Sequence, residues 1–393
     1  MTEWPKVSLA GISKKPTYGA IAKGTADKVG PLFVRQTDIV AGRIDWSTVP
    51  HCDLPPEKAM RYELALGDLL ISRLGNGVGN AVTVSETRPG AIYAGYLVRF
   101  QVDHQVADSR FVGYQLQSQA WRNHVLSFRS GAAQPTLNAR QMGHFEFRLP
   151  PLSEQRAIAA TLGALDDKID SNQRQRALLR ELGRAWYCLA ILGESRSVLL
   201  SELATSIARG VAPKYADDDK SAPLVINQKC IRDGWVFLQP ARRMVDRKVK
   251  PEKQANGGDI LVNSTGTGTL GRLARWHSGD VFVDGHVSVI KPDAAAIPPT
   301  VLAYSLLNRE PDIEDLATGS TGQTELSASR LAELPVEVPT TSTARALESD
   351  FVALEDRCHQ LADEMQSLSA LRDTLLPELL AGRIRVPVEE AMI

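Results

Sequence analysis

The residues most suggestive of chemistry in this 393-residue chain are Gly266-Thr267-Gly268-Thr269-Leu270-Gly271, a glycine spacing that could wrap a phosphate. A P-loop requires G-x-x-x-x-G-K-[ST], whose lysine reaches the phosphates. Here Gly271 is followed by Arg272, and neither glycine-rich turn of the chain carries Gly-Lys. A dinucleotide fingerprint requires a full helix after the glycines. The stretch from Leu273 to the next glycine, Gly279, is too short for one, so the segment reads as a hairpin turn, with nucleotide hydrolysis there as a rival. The seven histidines are scattered without an H-E-x-x-H pair, and His286 reads as a packing or hydrogen-bonding residue. Cys52, Cys188, Cys230 and Cys358 stand too far apart for a disulfide framework or a zinc site of ordinary spacing. No Asn-Pro-Pro-aromatic motif for adenine methylation occurs. The sequence predicts no catalytic residue, no metal site and no cofactor.

What must be positioned is therefore a binding surface, and charge narrows where it could lie. The chain carries 45 basic and 46 acidic residues, a net charge of −1, which at first argues against a nucleic-acid partner. The balance is uneven along the chain. Residues 1–150 hold 17 basic against 12 acidic side chains, and residues 339–393 hold 5 against 10. Residues 229–253 hold eight cations, Lys229, Arg232, Arg242, Arg243, Arg247, Lys248, Lys250 and Lys253, against Asp233, Asp246 and Glu252. That density suits phosphate contacts and equally a solvated strand edge. At 43% hydrophobic and 23% charged residues the composition is that of a soluble globular protein. The length predicts two or three domains. Met1 leads into Thr2-Glu3-Trp4-Pro5-Lys6, and no run of 18 apolar residues follows anywhere, so the expectation is a cytoplasmic protein with no membrane span.

The elements repeat. Gly67-Asp68-Leu69-Leu70-Ile71 recurs as Gly258-Asp259-Ile260-Leu261-Val262, and each is followed by a glycine-studded turn, Gly75 to Gly79 and Gly266 to Gly271. Gly95-Tyr96-Leu97-Val98 matches Gly285-His286-Val287-Ser288, Ser130-Gly131 matches Thr318-Gly319, and Ala164-Leu165-Asp166-Asp167-Lys168 matches Ala353-Leu354-Glu355-Asp356-Arg357. Collinear matches at nearly constant offset mean one module used twice. Each module opens with short β-rich runs, such as 81–84, 96–102, 281–283 and 286–290, broken by Gly and Pro. Each adds a short helix, at 108–125 and 299–308. Each then continues as a long helix with a heptad stripe: Ile158, Leu162, Leu165, Ile169, Leu179 and Trp186 in the first, Leu347, Phe351, Leu354, Cys358, Leu361, Met365, Leu368 and Leu375 in the second. A narrow stripe demands a partner helix, and the two copies are the evident partners, paired antiparallel as a rod that spaces two domains. Asn172 and Arg176 interrupt the first stripe, as register-fixing seam residues or as a solvent-facing stretch. Gly382 reads as a helix stop, and Pro377 should kink the last turn. The expected fold is α+β, with domains at 1–150 and 193–338, long helices at 151–192 and 339–382, a tail at 383–393 and an internal pseudo-twofold duplication.

At Leu149-Pro150-Pro151-Leu152-Ser153-Glu154-Gln155-Arg156-Ala157-Ile158-Ala159, followed by Leu165-Asp166-Asp167-Lys168-Ile169, the sequence resembles the specificity subunit of type I restriction-modification systems. The opening Trp4 to Leu9 and the closing Leu375 to Ile384 carry the same resemblance. It implies two target recognition domains, each reading one half of a split sequence in double-stranded DNA, and helices that set the gap between the halves. It further implies two methyltransferase subunits and two motor-nuclease subunits as partners, which would carry the catalysis. One departure stands out: Pro339-Thr340-Thr341-Ser342-Thr343-Ala344 replaces the Glu-Gln helix start of the first copy.

On that reading the base-contacting candidates are polar residues in glycine-flanked loops, because Arg suits guanine, Asn and Gln suit adenine, and Ser and Thr suit either. They are Arg73, Asn76, Arg129, Gln134, Thr136 and Asn138 in the first domain. In the second they are Asn263, Thr265, Thr267, Arg272, Thr321 and Gln323, with Lys248 and Lys250 on phosphate. Each could instead cap a turn or a helix. The rival to DNA reading as a whole is a coiled-coil scaffold whose end domains bind protein.

Overall fold

A computed structural model describes residues 4–40, 42–128, 136–317 and 325–387. The chain divides into two compact units, one formed by Met1–Ser171 with Glu364–Ile393, the other by Asn172–Asp363.

In the first unit Leu69–Ser72 is buried at every position and forms the inner strand of a four-stranded sheet. Its neighbours are Leu97–Phe100 and Ala81–Thr83, both antiparallel, with Thr17–Tyr18 outside Leu97–Phe100. Burial on both faces explains why Leu-Leu-Ile is an unbroken apolar run rather than an alternating one. Asp68, at the head of that strand, is 2% exposed. Its carboxylate accepts hydrogen bonds from the Ala65 amide (3.0 Å) and from Gln101 Nε2 (2.8 Å), and Arg99 lies 3.4 Å away. A short parallel pair, Phe33–Val34 with Ile92–Tyr93, lies beside the sheet, and Lys6–Ser8 pairs with Glu146–Arg148 just ahead of the first long helix.

The stretch expected as one helix over 108–125 is two, Ser109–Gln115 and Gln119–Ser127. The Ser118 hydroxyl accepts from the Trp121 amide and starts the second helix, a local bond that competes with continuing the first.

The second unit repeats the plan. Ile260–Asn263 is the buried inner strand between Val287–Pro292 and Leu273–Arg275, with Ala204–Arg209 outside Val287–Pro292. Asp259 takes the place of Asp68, accepting from the Asn256 amide (2.8 Å) and from Lys291 Nζ (2.6 Å). Leu224–Ile226 pairs parallel with Val281–Val283, and Ser195–Leu199 pairs with Pro335–Pro339 ahead of the second long helix. The parallel pair belongs here to a four-stranded sheet that also takes in Arg242–Arg243 and Gln254–Ala255. Strand order in the main sheet is the same in both units, so the sequence repeat is a repeat of topology.

The long helices are Leu152–Leu192 and Thr341–Leu380. Within the first unit Asp166 meets Arg372 (2.9 Å) and Lys168 meets Glu364 (3.3 Å), so one number rises while the other falls and the pair is antiparallel. Within the second unit Trp186 packs on Phe351 with ring centroids 6.4 Å apart. The heptad residues Phe351, Leu354, Cys358 and Leu361 are buried there. Asn172 and Arg176, for which seam and solvent were both open, are 0% and 9% exposed. The Arg176 guanidinium lies 4.6 Å from the Trp235 ring centroid, and burial lowers its pKa. The second helix continues past Pro377 and stops three residues later. Gly382, at φ 69°, then closes a Schellman cap, its amide bonding to Leu379 and that of Arg383 to Glu378.

The departure at the second helix start has a physical counterpart. In the first copy Gln155 is fully buried and its amide satisfies three backbone groups: it accepts from Asp108 N (2.8 Å) and donates to Pro150 O (2.8 Å) and Val106 O (3.2 Å). Glu154 accepts from Trp4 Nε1 (3.2 Å) and pairs with Arg385. In the second copy the Thr340 hydroxyl caps the helix instead, 3.4 Å from the Thr343 amide. Among the described residues no helix is long and apolar enough to cross a membrane.

Candidate nucleic-acid interface

The inner strand of each main sheet ends at the glycine turn, and both turns are assembled alike. In the first unit the Arg73 amide donates to Tyr96 O (3.0 Å), the Leu137 amide donates to Arg73 O (2.9 Å), and Leu74 bridges Thr136. In the second the Ser264 amide donates to His286 O (2.9 Å), the Leu326 amide donates to Ser264 O (2.9 Å), and Thr265 bridges Glu325. Three separate parts of the chain thus meet at one edge of each domain: the glycine turn, the residue after Gly95 or Gly285, and the segment that begins at Thr136 or Glu325. Gly266–Gly271 lies between the paired strands Ile260–Asn263 and Leu273–Arg275, the hairpin connection expected of it.

Of the first-domain candidates, Arg73 is half-buried with its guanidinium 5.0 Å from the Tyr18 ring centroid. Asn76 is exposed and lines a cleft of about 580 Å³ together with Gln117, Trp121, Arg122 and Arg372. Thr136 is exposed beside the turn. Asn138 caps the helix Ala139–Gly143, its Oδ1 accepting from the Gln141 amide at 2.9 Å while Gln141 reaches back to the Asn138 amide. The capping role open to every candidate is the one Asn138 performs. Arg129 and Gln134 lie outside the described residues, as do Thr321 and Gln323.

In the second domain Thr267 is exposed at the tip of the turn. Thr265 is half-buried, with its hydroxyl 2.8 Å from His286 Nδ1 and 3.2 Å from Gln228 Oε1. Arg272 donates to Gly268 O at 2.7 Å and braces the turn from within. Asn263 is 0% exposed, and its amide donates to the carbonyls of Gln228 and Thr269, both at 3.0 Å. Burial keeps it from any ligand and makes it the tie between turn and neighbouring segment. Lys248 and Lys250 are exposed, the latter 3.9 Å from Glu252.

The basic stretch around them is partly spent internally. Arg242 pairs with Asp217 and lies 3.3 Å from the Tyr215 ring centroid, Arg243 donates to Ala222 O, and Arg247 donates to Ala212 O. The Tyr215 hydroxyl donates to Asp284 (2.7 Å). Burial, with that bond and charge, raises its pKa, so the tyrosine stays neutral and fixes the loop.

Two residues at these turns were not singled out from sequence. Gln36 Oε1 accepts from the Ser72 hydroxyl (2.8 Å), and Gln228 Oε1 accepts from the Thr265 hydroxyl (3.2 Å). Both glutamines open a short 3-10 turn, Gln36–Asp38 and Gln228–Cys230. The signal was present in the repeat, where Gln36-Thr37-Asp38-Ile39 faces Gln228-Lys229-Cys230-Ile231, but only a glutamine and an isoleucine match. Among the described residues no three or more His, Cys, Asp or Glu side chains gather to hold a metal.

Residues 56–181 match the family described as the type I restriction modification DNA specificity domain. Over 98% of its length the chain is 22% identical to a putative type I restriction enzyme MjaX specificity subunit of Methanocaldococcus jannaschii, of which it covers 94%. It is 23% identical over 39% of its length to the MjaVIII specificity subunit of the same organism, covering 37% of that protein. In structure it is similar to the type I restriction-modification S subunit of M. genitalium, with a TM-score of 0.60 and 16% identity over 96% of each chain. This last likeness is one of fold.

Proposed function

The chain belongs to the DNA specificity subunits of type I restriction-modification systems, and from that membership we propose that it reads a split target in double-stranded DNA, one half-site per domain. The observation that carries this reading is the duplicated turn assembly. The same strand, glycine turn and returning segment are built twice from different side chains, as a device reading two different half-sites with one scaffold requires. Arg73, Asn76 and Thr136 in the first domain, and Thr265 and Thr267 in the second, are the residues offered to base edges. Lys248 and Lys250 meet phosphate, fixing position without carrying sequence information. The domains comprise 1–150 and 193–338, and the paired helices set the gap between half-sites.

Methyl transfer and cleavage belong to partner subunits in this reading, two methyltransferases and two motor-nucleases, working in the cytoplasm where the DNA is. The docking face for a methyltransferase is the outer stripe of the first long helix in the second unit. Leu178, Leu182, Leu189 and Leu192 are 70%, 41%, 66% and 79% exposed there, at the spacing of a helix that seats against another.

The test is to co-express the chain with its neighbouring methyltransferase in a methylation-free host and map modified adenines by single-molecule sequencing. Two short half-sites around a fixed gap are expected. An unmodified genome, despite a complex that co-purifies intact, would favour the protein-binding scaffold instead.

A further inference from the structure

We propose that Gln36 and Gln228 are specificity-determining residues, each presenting the amide N–H₂ of its side chain to one base of its half-site. The inference rests on the DNA-reading function and names residues that reading did not contain.

Both side chains are held the same way. A hydroxyl from the inner strand or the turn after it, Ser72 or Thr265, donates to the glutamine Oε1. That bond fixes which end of the amide is which and turns Nε2 towards the turn. A β-carbon placed on Gly75 would stand 3.8 Å from Gln36 Nε2, and one on Gly266 would stand 3.2 Å from Gln228 Nε2. The two glycines have φ of 70° and 106°, so each turn keeps a bare backbone where the amide lies. Among the described residues no protein acceptor meets either Nε2 at hydrogen-bond distance, and neither nitrogen is a buried unsatisfied atom. Two oriented donors thus stand without a protein acceptor among the described residues at the edge where three parts of the chain converge.

The backing is rigid. Gln36 opens a turn whose Asp38 is fully buried and bonds to the Arg35 amide (2.8 Å) and guanidinium. The Gln228 carbonyl receives the buried Asn263 amide, and Asn227 Oδ1 accepts from the Lys229 amide (2.9 Å). A side chain locked by such supports is pre-organised for recognition. An amide with free N–H₂ and a second lone pair on Oε1 matches adenine, whose N7 accepts and whose N6 donates in the major groove. The flanking side chains differ, Tyr96 in the first domain (55% exposed) and His286 in the second, so the two readers work in different surroundings.

The experiment uses the complex with the methyltransferase. Motifs are mapped for wild type, Gln36→Ala, Gln228→Ala and the isosteric Gln36→Glu and Gln228→Glu, with thermal unfolding of each complex. Each alanine variant is expected to relax one base pair in one half-site only, by roughly 5- to 150-fold in discrimination. Each glutamate variant, now only an acceptor, is expected to shift preference at that position towards cytosine, whose N4 donates. If a folded variant loses methylation altogether, binding to a series of duplexes changed at one base pair at a time decides. Indifference to one position supports the assignment, and equal weakening on all duplexes overturns it. An unchanged motif in folded variants also overturns it. Absence of any split motif with the wild-type complex would sink the DNA-reading function itself, a different outcome.

Discussion

The helix start at Gln155 offers a test with an internal control, because the same backbone position in the second copy holds Ala344, whose amide bonds to Thr340 O as that of Gln155 does to Pro151 O, and the nearest polar side chain is Thr343. Gln155→Ala removes an amide with 0% exposure and strands the N–H of Asp108, the residue whose carboxylate caps Ser109–Gln115, as well as two carbonyl contacts, Val106 and Pro150. A buried donor left without a partner costs about 1–3 kcal/mol. With the two carbonyls the total expected is about 3 kcal/mol, and at about 2–4 °C per kcal/mol for a unit of this size the first unit should melt roughly 6–12 °C lower. Thr343 is half-buried and, among the described residues, its hydroxyl meets only that of Thr340, at 3.0 Å, so Thr343→Ala should cost under about 1 kcal/mol. Thermal unfolding gives the shift. Native-state hydrogen exchange on peptides around 104–116 and around 195–203 assigns it to a unit. Equal losses for the two variants, or a Gln155→Ala loss below about 1 kcal/mol, would refute the argument that the amide pins the helix to its domain.

Further outcomes follow from the same geometry. Burial, then His359 with its ring centroid 3.9 Å away and the Arg275 charge, lowers the His277 pKa to about 3. Because the folded value lies below the unfolded one, stability is complete above pH 6.5 and falls as the pH drops towards 3, by about 2 kcal/mol at pH 5. Urea unfolding at pH 5 and 7.5 should show that share of the loss disappear in His277→Phe, and an identical loss in the variant would contradict it. Burial raises the Glu355 pKa to about 7 against the pull of Arg275, so its contribution is greatest below pH 4.5 and is lost as the pH climbs to 7. Glu355→Gln should therefore remove that fall between pH 4.5 and 7, measured in the same titration. A β-carbon on Gly210 would collide with the carbonyls of Val283 and Asp284, and one on Gly19 with those of Tyr93 and Ala94. Both alanine variants should lose about 3 kcal/mol, and an unchanged melting temperature would exclude the close crossing. Lys248→Ala and Lys250→Ala should each lower the salt slope of DNA binding by about 1 while leaving the preferred sequence intact, and a changed sequence preference would make them base readers.

Much of the molecule was legible as sequence, because the signals were local or periodic. Heptad spacing foretold both long helices, and Leu-Leu-Ile with Ile-Leu-Val marked the inner strands, since burial on both faces shows directly as an unbroken apolar run. The repeat announced that whatever one half did the other would do again. The hairpin at Gly266 followed from the missing lysine and the missing helix. Tertiary structure decided the rest, where the answer depended on residues distant in sequence. Asn172 and Arg176 proved to be interior residues because of what packs over them, Trp235 among it. Asn263 and Asn138, alike as loop amides on paper, parted into a buried tie and a helix cap. Gln36 and Gln228 gained their place only when the fold brought a hydroxyl 36 or 37 residues away against each amide. A side chain's type and its neighbours in sequence set what bonds it can make, but which bonds remain free to meet a ligand depends on the partners that folding supplies.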